Sequence, residues 1–193
     1  MDLNEAYCWK QFLEGDQSAF ERIYFQFVNA LYDYGLRISK NESLVEDCLQ
    51  DLFSDLWEKR NVLSQVNSVK AYLFVAMKRR VLRKLTSENI RSFQHLDEFT
   101  AHVSPFLPTL DEEEDEEMIA GLKKAFLQLS DKQLEVIYLR YYNHLSYEEV
   151  AEIMEVQVKA VYKLMGRAIK TLKSTLDKPM HTANLLVILA TMF

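Results

Sequence analysis

Glycine and proline are scarce: the 193 residues hold four of one and three of the other. So few turn-formers leave room for few tight turns and favour long helices. No stretch longer than a few residues alternates apolar and polar side chains, and no internal repeat is visible, which argues against a sheet fold or a repeat array. The recurring signatures of catalysis are absent too. There is no glycine-rich phosphate loop, no Cys/His spacing for zinc and no nucleophile elbow. His95, His102, His144 and His181 are scattered and unpaired in sequence. Residues 111–117 are seven acidic side chains in a row, without the glycine turn and alternating ligands of a calcium loop. The expectation is a protein that is not an enzyme, with no cofactor, metal or small-molecule substrate. Only two cysteines occur, Cys8 and Cys48, and residues 1–10 lack the basic-then-apolar pattern of a secretory signal. They read as reduced, packed thiols in a cytoplasmic protein. The apolar run at residues 183–193 is too short to span a bilayer. It reads as a tail packing on a neighbour in preference to a partner-binding segment.

What is present is helical amphipathicity and an uneven charge. Apolar residues make up 49% of the chain, which excludes a disordered protein. The net charge of −6 argues against indiscriminate binding to nucleic acid. Yet residues 67–95 carry seven Lys/Arg against one Glu, and residues 156–178 carry six against one Asp. Two basic surfaces joined by an acidic segment are the pattern.

The most informative stretch is residues 145–176. Ser146 with Glu149 forms a capping box, and Val150, Ala151, Ile153 and Met154 turn inward from the helix it starts. A break at Glu155, Val156 and Gln157 precedes a second helix with Val158, Val161, Leu164, Met165, Ala168, Ile169 and Leu172 on its inner face. Lys159, Tyr162, Lys163, Arg167, Lys170 and Lys173 lie opposite. This is the layout of a helix-turn-helix whose second helix enters the major groove of DNA. The plainer alternative is a helical hairpin with a solvated basic face.

Upstream, a short helix over residues 1–15 ends at Gly15 and Asp16. Ser18 with Glu21 and Ser43 with Glu46 are read as capping boxes for helices over 18–38 and 41–61. The first is expected to bury Phe20, Ile23, Tyr24, Phe27, Leu31 and Tyr34. The second has an apolar stripe through Leu44, Val45, Cys48, Leu49, Leu52, Phe53 and Leu56, with an acidic face that either is solvated or docks on a partner. After a polar loop at 60–68, with Asn67 or Ser68 as cap, a helix over 69–87 carries Lys78, Arg79, Arg80, Arg83 and Lys84 within seven residues. Such crowding is costly unless an anion is near. Tyr72 and Phe74 precede the cations, an arrangement suited to a single strand, with bases on rings and cations on phosphates. Phe74 reads as core, and Tyr72 fits either role. Residues 89–115 show no periodicity and read as a linker. Helices over 116–129 and from 130, where Ser130 with Gln133 makes another capping box, complete an all-α chain.

These pieces resemble the bacterial sigma factors of the extracytoplasmic-function group. The resemblance covers roughly residues 9–176 and rests on two patterns in order, at 15–63 with 68–85 and at 129–173. It implies two helical domains, sigma region 2 over 1–88 and sigma region 4 with a helix-turn-helix over 116–178, a flexible acidic linker over 89–115 and an extra tail over 179–193. It also implies the partners: core RNA polymerase, promoter DNA and an anti-sigma factor. Asp47, Gln50, Asp51, Phe53 and Trp57 fall on the polymerase-docking motif. The loop at 61–68 and Tyr72, Lys78, Arg79, Arg80, Arg83 and Lys84 fall where the promoter is opened and held. Gln157, Lys159, Ala160, Tyr162, Lys163 and Arg167 fall where the upstream element is read. The chain departs from the family pattern at three places. Glu155-Val156-Gln157 replaces a turn of glycine, an apolar residue and serine, so either the turn is strained or the docking angle is altered, and Gln157 is a weaker cap than serine. Arg79 and Arg83 stand where Asn and Asp or Asn are common, and the apolar tail is additional. A stand-alone helix-turn-helix regulator, binding duplex tightly without polymerase, is the alternative reading. A helical adaptor that binds only protein is a second.

Overall fold

In the computed structural model, the described residues are 3–87, 121 and 124–175. All their regular structure is helical. The expected linker, the tail and half of the helix at 116–129 lie outside the described residues, although residues 124–127 are helical. The chain divides into two units, Met1–Gln94 and His95–Phe193.

The first unit is built from α1 (Leu3–Leu13), α2 (Gln17–Ile38), α3 (Glu42–Glu58) and α4 (Val69–Ser87), with a 3-10 turn at Arg60–Val62. Gly15 makes the α1–α2 corner at φ 94°, a conformation that side-chain-bearing residues rarely adopt. Helix α2 is the central element and packs on the other three. Its core stripe is Ile23, Phe27, Leu31 and Tyr34, joined by Ala19 and Gly35. Tyr24, expected inside, is 37% exposed and rests its ring edge-on against Phe53 at 4.8 Å, because it lies one residue beyond the stripe that Ile23 and Phe27 define. Gly35 is where three helices meet. A Cβ there would lie 2.7 Å from both Met77 Cε and Val45 Cγ1, so α2 can approach α3 and α4 this closely only without a side chain. Cys8 and Cys48 are buried free thiols, as packing residues should be. Burial pushes the Cys48 thiol further from ionisation.

Two of the expected capping boxes are absent. Asp16 caps α2 instead of Ser18, accepting from the Ser18 and Ala19 N–H groups at 2.8 and 3.3 Å. Asn41 caps α3 instead of Ser43, accepting from the Leu44 N–H at 3.1 Å. In each case a short polar side chain two residues earlier sets the helix start, which moves the serine into the first turn. Ser68, one of the two expected caps, accepts from the Ala71 N–H at 3.1 Å.

In the second unit, α5 (Asp131–Ile137) runs into a π-helical turn at Tyr138–Tyr142, followed by α6 (Tyr147–Met154) and α7 (Val158–Thr175). Here the Ser146–Glu149 box is present in both directions, at 2.7 and 3.1 Å. Gln133 reaches back to the Ser130 N–H at 2.8 Å. Val150, Ala151, Ile153 and Met154 of α6 meet Val161, Met165, Ala168 and Leu172 of α7 in the core. The α6–α7 turn pivots on Glu155 in the left-handed region, φ 55° and ψ 45°. A Cβ is unfavourable in that conformation. Glu155→Gly is expected to stabilise this unit by about 1 kcal/mol, read as a higher midpoint in chemical denaturation.

Candidate functional surfaces

The first surface is the seam between α3 and α4. Asp47, Asp51 and Asp55 recur every four residues, so they form one rail along α3. Arg80 and Lys84, also four apart, form a facing rail on α4. The two rails interlock. Arg80 Nη2 lies 2.5 Å from Asp55 Oδ2, and Lys84 Nζ lies 3.4 Å from Asp51 and 3.6 Å from Asp47. Lys59 adds a contact to Asp55 at 2.6 Å. For Arg80 and Lys84, two of the crowded cations of α4, the relieving anions are thus supplied by α3.

The hydrogen bonds from Lys59 and Arg80 hold the Asp55 carboxyl at about 2, against an ordinary 3.8. Burial pulls the Lys84 ammonium down, but its hydrogen bond with Asp51 and the nearby charges of Asp51 and Asp47 offset this, and it stands raised. These pairs are partly solvated, so each contributes little to stability alone. Their pH dependence has a definite sign. A carboxyl depressed in the folded state stabilises above its unfolded pKa, so the Asp55 contribution is present above about pH 4 and is lost as pH falls towards 2. Asp55→Asn should flatten that acid limb in a plot of thermal midpoint against pH. The raised lysine acts at the opposite end, its contribution fading only as pH rises through its folded value.

Arg80 and Lys84, expected to face promoter DNA, face α3 in this structure. Phe53, expected on the docking surface, is only 4% exposed and packs edge-on against Phe20 and Tyr24. It supports the face from beneath, because it lies on the same stripe as Leu52 and Leu56. Asp47, Gln50 and Asp51 are exposed. Trp57 is half-buried at the end of α3, with Phe20 at 5.1 Å and the Arg60 guanidinium 4.3 Å from its ring. Arg79 and Arg83 are exposed and Lys78 is half-buried. Phe74 is core, as expected. Tyr72 is half-buried, edge-on to Trp9 at 5.6 Å, and lines a cleft with Leu56, Leu63 and Arg80. Desolvation raises its phenol above the ordinary range. The loop after α3 is fastened to α1, since Trp9 Nε1 donates to the Ser64 carbonyl at 3.2 Å. Val62 stands out from that loop at 82% exposure.

The second surface is the outer face of α7. Gln157, Lys159, Tyr162, Lys163 and Arg167 are exposed together and Ala160 is half-buried, so the structure brings the six expected residues to one region. Two residues outside that set belong to it. Tyr147 stacks on Tyr162 with ring centroids 4.1 Å apart and planes 18° apart. The Arg140 guanidinium lies 5.2 Å from the Tyr147 ring centroid and its Nη1 donates to the Leu145 carbonyl at 2.9 Å. The only sequence signal for this cluster was the presence of a ring at the first position of α6 and another on α7. Nothing in the linear spacing tied them to each other.

A helical unit with an interlocked acid–base seam, and a second with a basic helix-turn-helix, define a two-region transcription initiation factor of the sigma type. Residues 23–91 match the family of sigma-70 region 2, and residues 120–172 match sigma-70 region 4. The ECF RNA polymerase sigma factor SigK of Mycobacterium sp. (strain KMS) is 25% identical over 172 residues, covering 86% of this chain and 88% of its own. SigK of Mycobacterium tuberculosis is 23% identical over 168 residues, covering 84% and 88%. Among solved structures, CnrH in complex with the cytosolic domain of CnrY has a TM-score of 0.59 at 23% identity, over 90% of this chain and 97% of that one. The sigma factor RpoE in complex with the anti-sigma factor NepR from Bartonella quintana has a TM-score of 0.56 at 20% identity, over 83% and 98%. Both share the fold. The chain belongs to the sigma-70 factors, in their extracytoplasmic-function group.

Proposed function

We infer that this chain acts as a sigma factor: it binds core RNA polymerase, directs it to particular promoters and helps open them. The role is regulatory and involves no catalysis by the chain itself. The observation that carries the reading is the presence, in one chain and in family order, of an exposed acidic face on α3 and an exposed basic face on α7 behind a capped turn. We assign polymerase docking to Asp47, Gln50 and Asp51, with Trp57 at the end of the face and Phe53 beneath it. Polar groups around an apolar anchor are what a protein interface requires. The loop at 60–68, Tyr72, Lys78, Arg79 and Arg83 would hold the opened strand. Arg80 and Lys84 brace that helix against α3. Gln157, Lys159, Ala160, Tyr162, Lys163 and Arg167 would read the upstream duplex. Domain limits follow the same reading: region 2 over 1–88, a linker over 89–115, region 4 over 116–178 and a tail over 179–193.

An anti-sigma protein covering these faces is the regulator this reading implies. Of the two similar structures, the sigma factor RpoE of Bartonella quintana is bound to an anti-sigma factor, NepR. A site of action in the cytoplasm follows from the polymerase partner, and among the described residues no helix is long and apolar enough to cross a membrane. Co-elution with core RNA polymerase at moderate salt, without DNA, tests the function. A stoichiometric complex is expected. A folded protein that fails to co-elute but binds duplex alone would make it a stand-alone regulator. Within the holoenzyme, Lys159→Ala and Arg167→Ala should each weaken promoter binding by about 1–3 kcal/mol where a base contact is lost. Unaltered occupancy of the promoter by either variant removes that residue from the interface.

A further inference from the structure

Tyr162 is the one exposed large apolar side chain on α7 among the described residues, at 53% exposure. Its neighbours Lys159, Lys163 and Arg167 carry only hydrogen-bond donors, which suit phosphates and guanine edges. A ring offers something different. The one apolar mark that the major groove displays is the 5-methyl group of thymine.

The ring is also held in place. A tyrosine on a bare helix samples several rotamers, and ordering it on binding costs entropy. Here Tyr147 lies nearly parallel to it at 4.1 Å and covers one face. Tyr147 occupies the first position of α6, whose start is fixed by the two-way Ser146–Glu149 box. The Arg140 guanidinium, anchored on the Leu145 carbonyl, sits against the Tyr147 ring. The Tyr138–Tyr142 segment that carries Arg140 is π-helical, with the Asn143 N–H reaching back to the Tyr138 carbonyl at 3.1 Å. A π turn inserts a residue relative to an α-helix and re-aims the side chains it carries. The exposed ring is thus backed by Tyr147, and Tyr147 in turn by Arg140 from a third segment.

We propose that Tyr162 reads a thymine methyl group in the upstream promoter element, and that Tyr147, backed by Arg140, is its positioning residue. This rests on the reading of α7 as the DNA-recognition helix. It separates specificity from grip: the cations hold the duplex, and the stacked pair selects one base.

The test uses the full chain assembled with core RNA polymerase. Duplexes are selected from a random library, and binding is then measured with each thymine of the selected site replaced in turn by deoxyuridine. The wild type should select thymine at one fixed position and lose about fourfold in affinity when that methyl group is removed, the worth of one buried methyl. Tyr162→Ala should lose this sensitivity. Tyr147→Ala should lose most of it, while Tyr147→Phe, which keeps the stack, retains it. That rescue distinguishes positioning from general destabilisation. Binding that is sequence-selective but indifferent to every methyl group overturns the methyl assignment, and a Tyr147→Ala variant with intact methyl sensitivity overturns the positioning role. A folded holoenzyme with no selective duplex binding would instead remove the reading of α7 itself, and this proposal with it.

Discussion

Trp9→Ala is expected to cost the first unit about 3–5 kcal/mol, the range for deleting a fully buried tryptophan. That is a large part of the 5–15 kcal/mol that typically separates folded from unfolded domains. Trp9 is inaccessible to solvent, 5.0 Å from the Phe12 ring and 5.6 Å from Tyr72, and it fastens the loop through Ser64. The substitution therefore removes packing between α1 and α4 and the tether of the loop at 60–68 together. Denaturation followed by the fluorescence of Trp57, the other tryptophan, should show the loss. Trp9→Phe separates the two effects. It keeps much of the ring volume and loses the N–H, so its stability should fall by only about 1–3 kcal/mol. Promoter opening, measured with 2-aminopurine in the melted strand, should suffer out of proportion to that loss, because the freed loop no longer presents a fixed surface to the strand. Polymerase affinity should change little, since Asp47, Gln50 and Asp51 lie on α3. Opening that tracks stability alone would show that the tether has no part in melting.

The residues that made the fold legible are those whose information is local. The stripe from Leu44 to Leu56 and the alternating faces of α7 follow from a period of 3.6 within a single helix, and both helices are where that period puts them. The caps show how narrow the margin is. Ser146 and Ser130 sit one residue before their helices, while Ser18 and Ser43 were displaced by Asp16 and Asn41, equally good caps a turn's fraction upstream. Contacts between helices were not legible in the same way. Arg80 and Asp55 are 25 residues apart, and the five closely spaced cations of α4 look alike until α3 is laid against them. A signal did exist, in carboxylates at every fourth residue of one helix and cations at every fourth residue of the next. Gly35 is another such case. Its meaning comes from Met77 and Val45 approaching it, not from its own neighbours in the chain. The basic face of α7 needed no partner helix to be seen, whereas which cations of α4 turn towards α3 could be seen only with α3 in place.

Asp51→Lys is expected to weaken binding of core RNA polymerase by about 2 kcal/mol, or roughly thirtyfold, as reversal of a docking charge should. On its own this result would be ambiguous. Asp51 also lies 3.4 Å from Lys84, so the new lysine would repel α4 from within the chain. The exchange Asp51→Lys with Lys84→Asp resolves it. The pair is restored with its charges reversed, so part of the stability lost by the single variant, at most about 1 kcal/mol for a partly exposed pair, should return, less the repulsion that a carboxylate at position 84 meets from Asp47. Polymerase affinity should stay low, because the docking face still carries the wrong sign. Recovery of both stability and affinity in the exchange would show that Asp51 acts on polymerase only by holding α4, and docking would then rest on Asp47 and Gln50. The exchange also reports on the DNA side. Lys84 is committed to α3, so Lys84→Asp in the exchange should leave single-strand binding by the holoenzyme nearly unchanged, whereas Arg83→Asp, one residue earlier on the exposed face, should reduce it. The two neighbouring cations thus separate the brace of the helix from its grip on DNA.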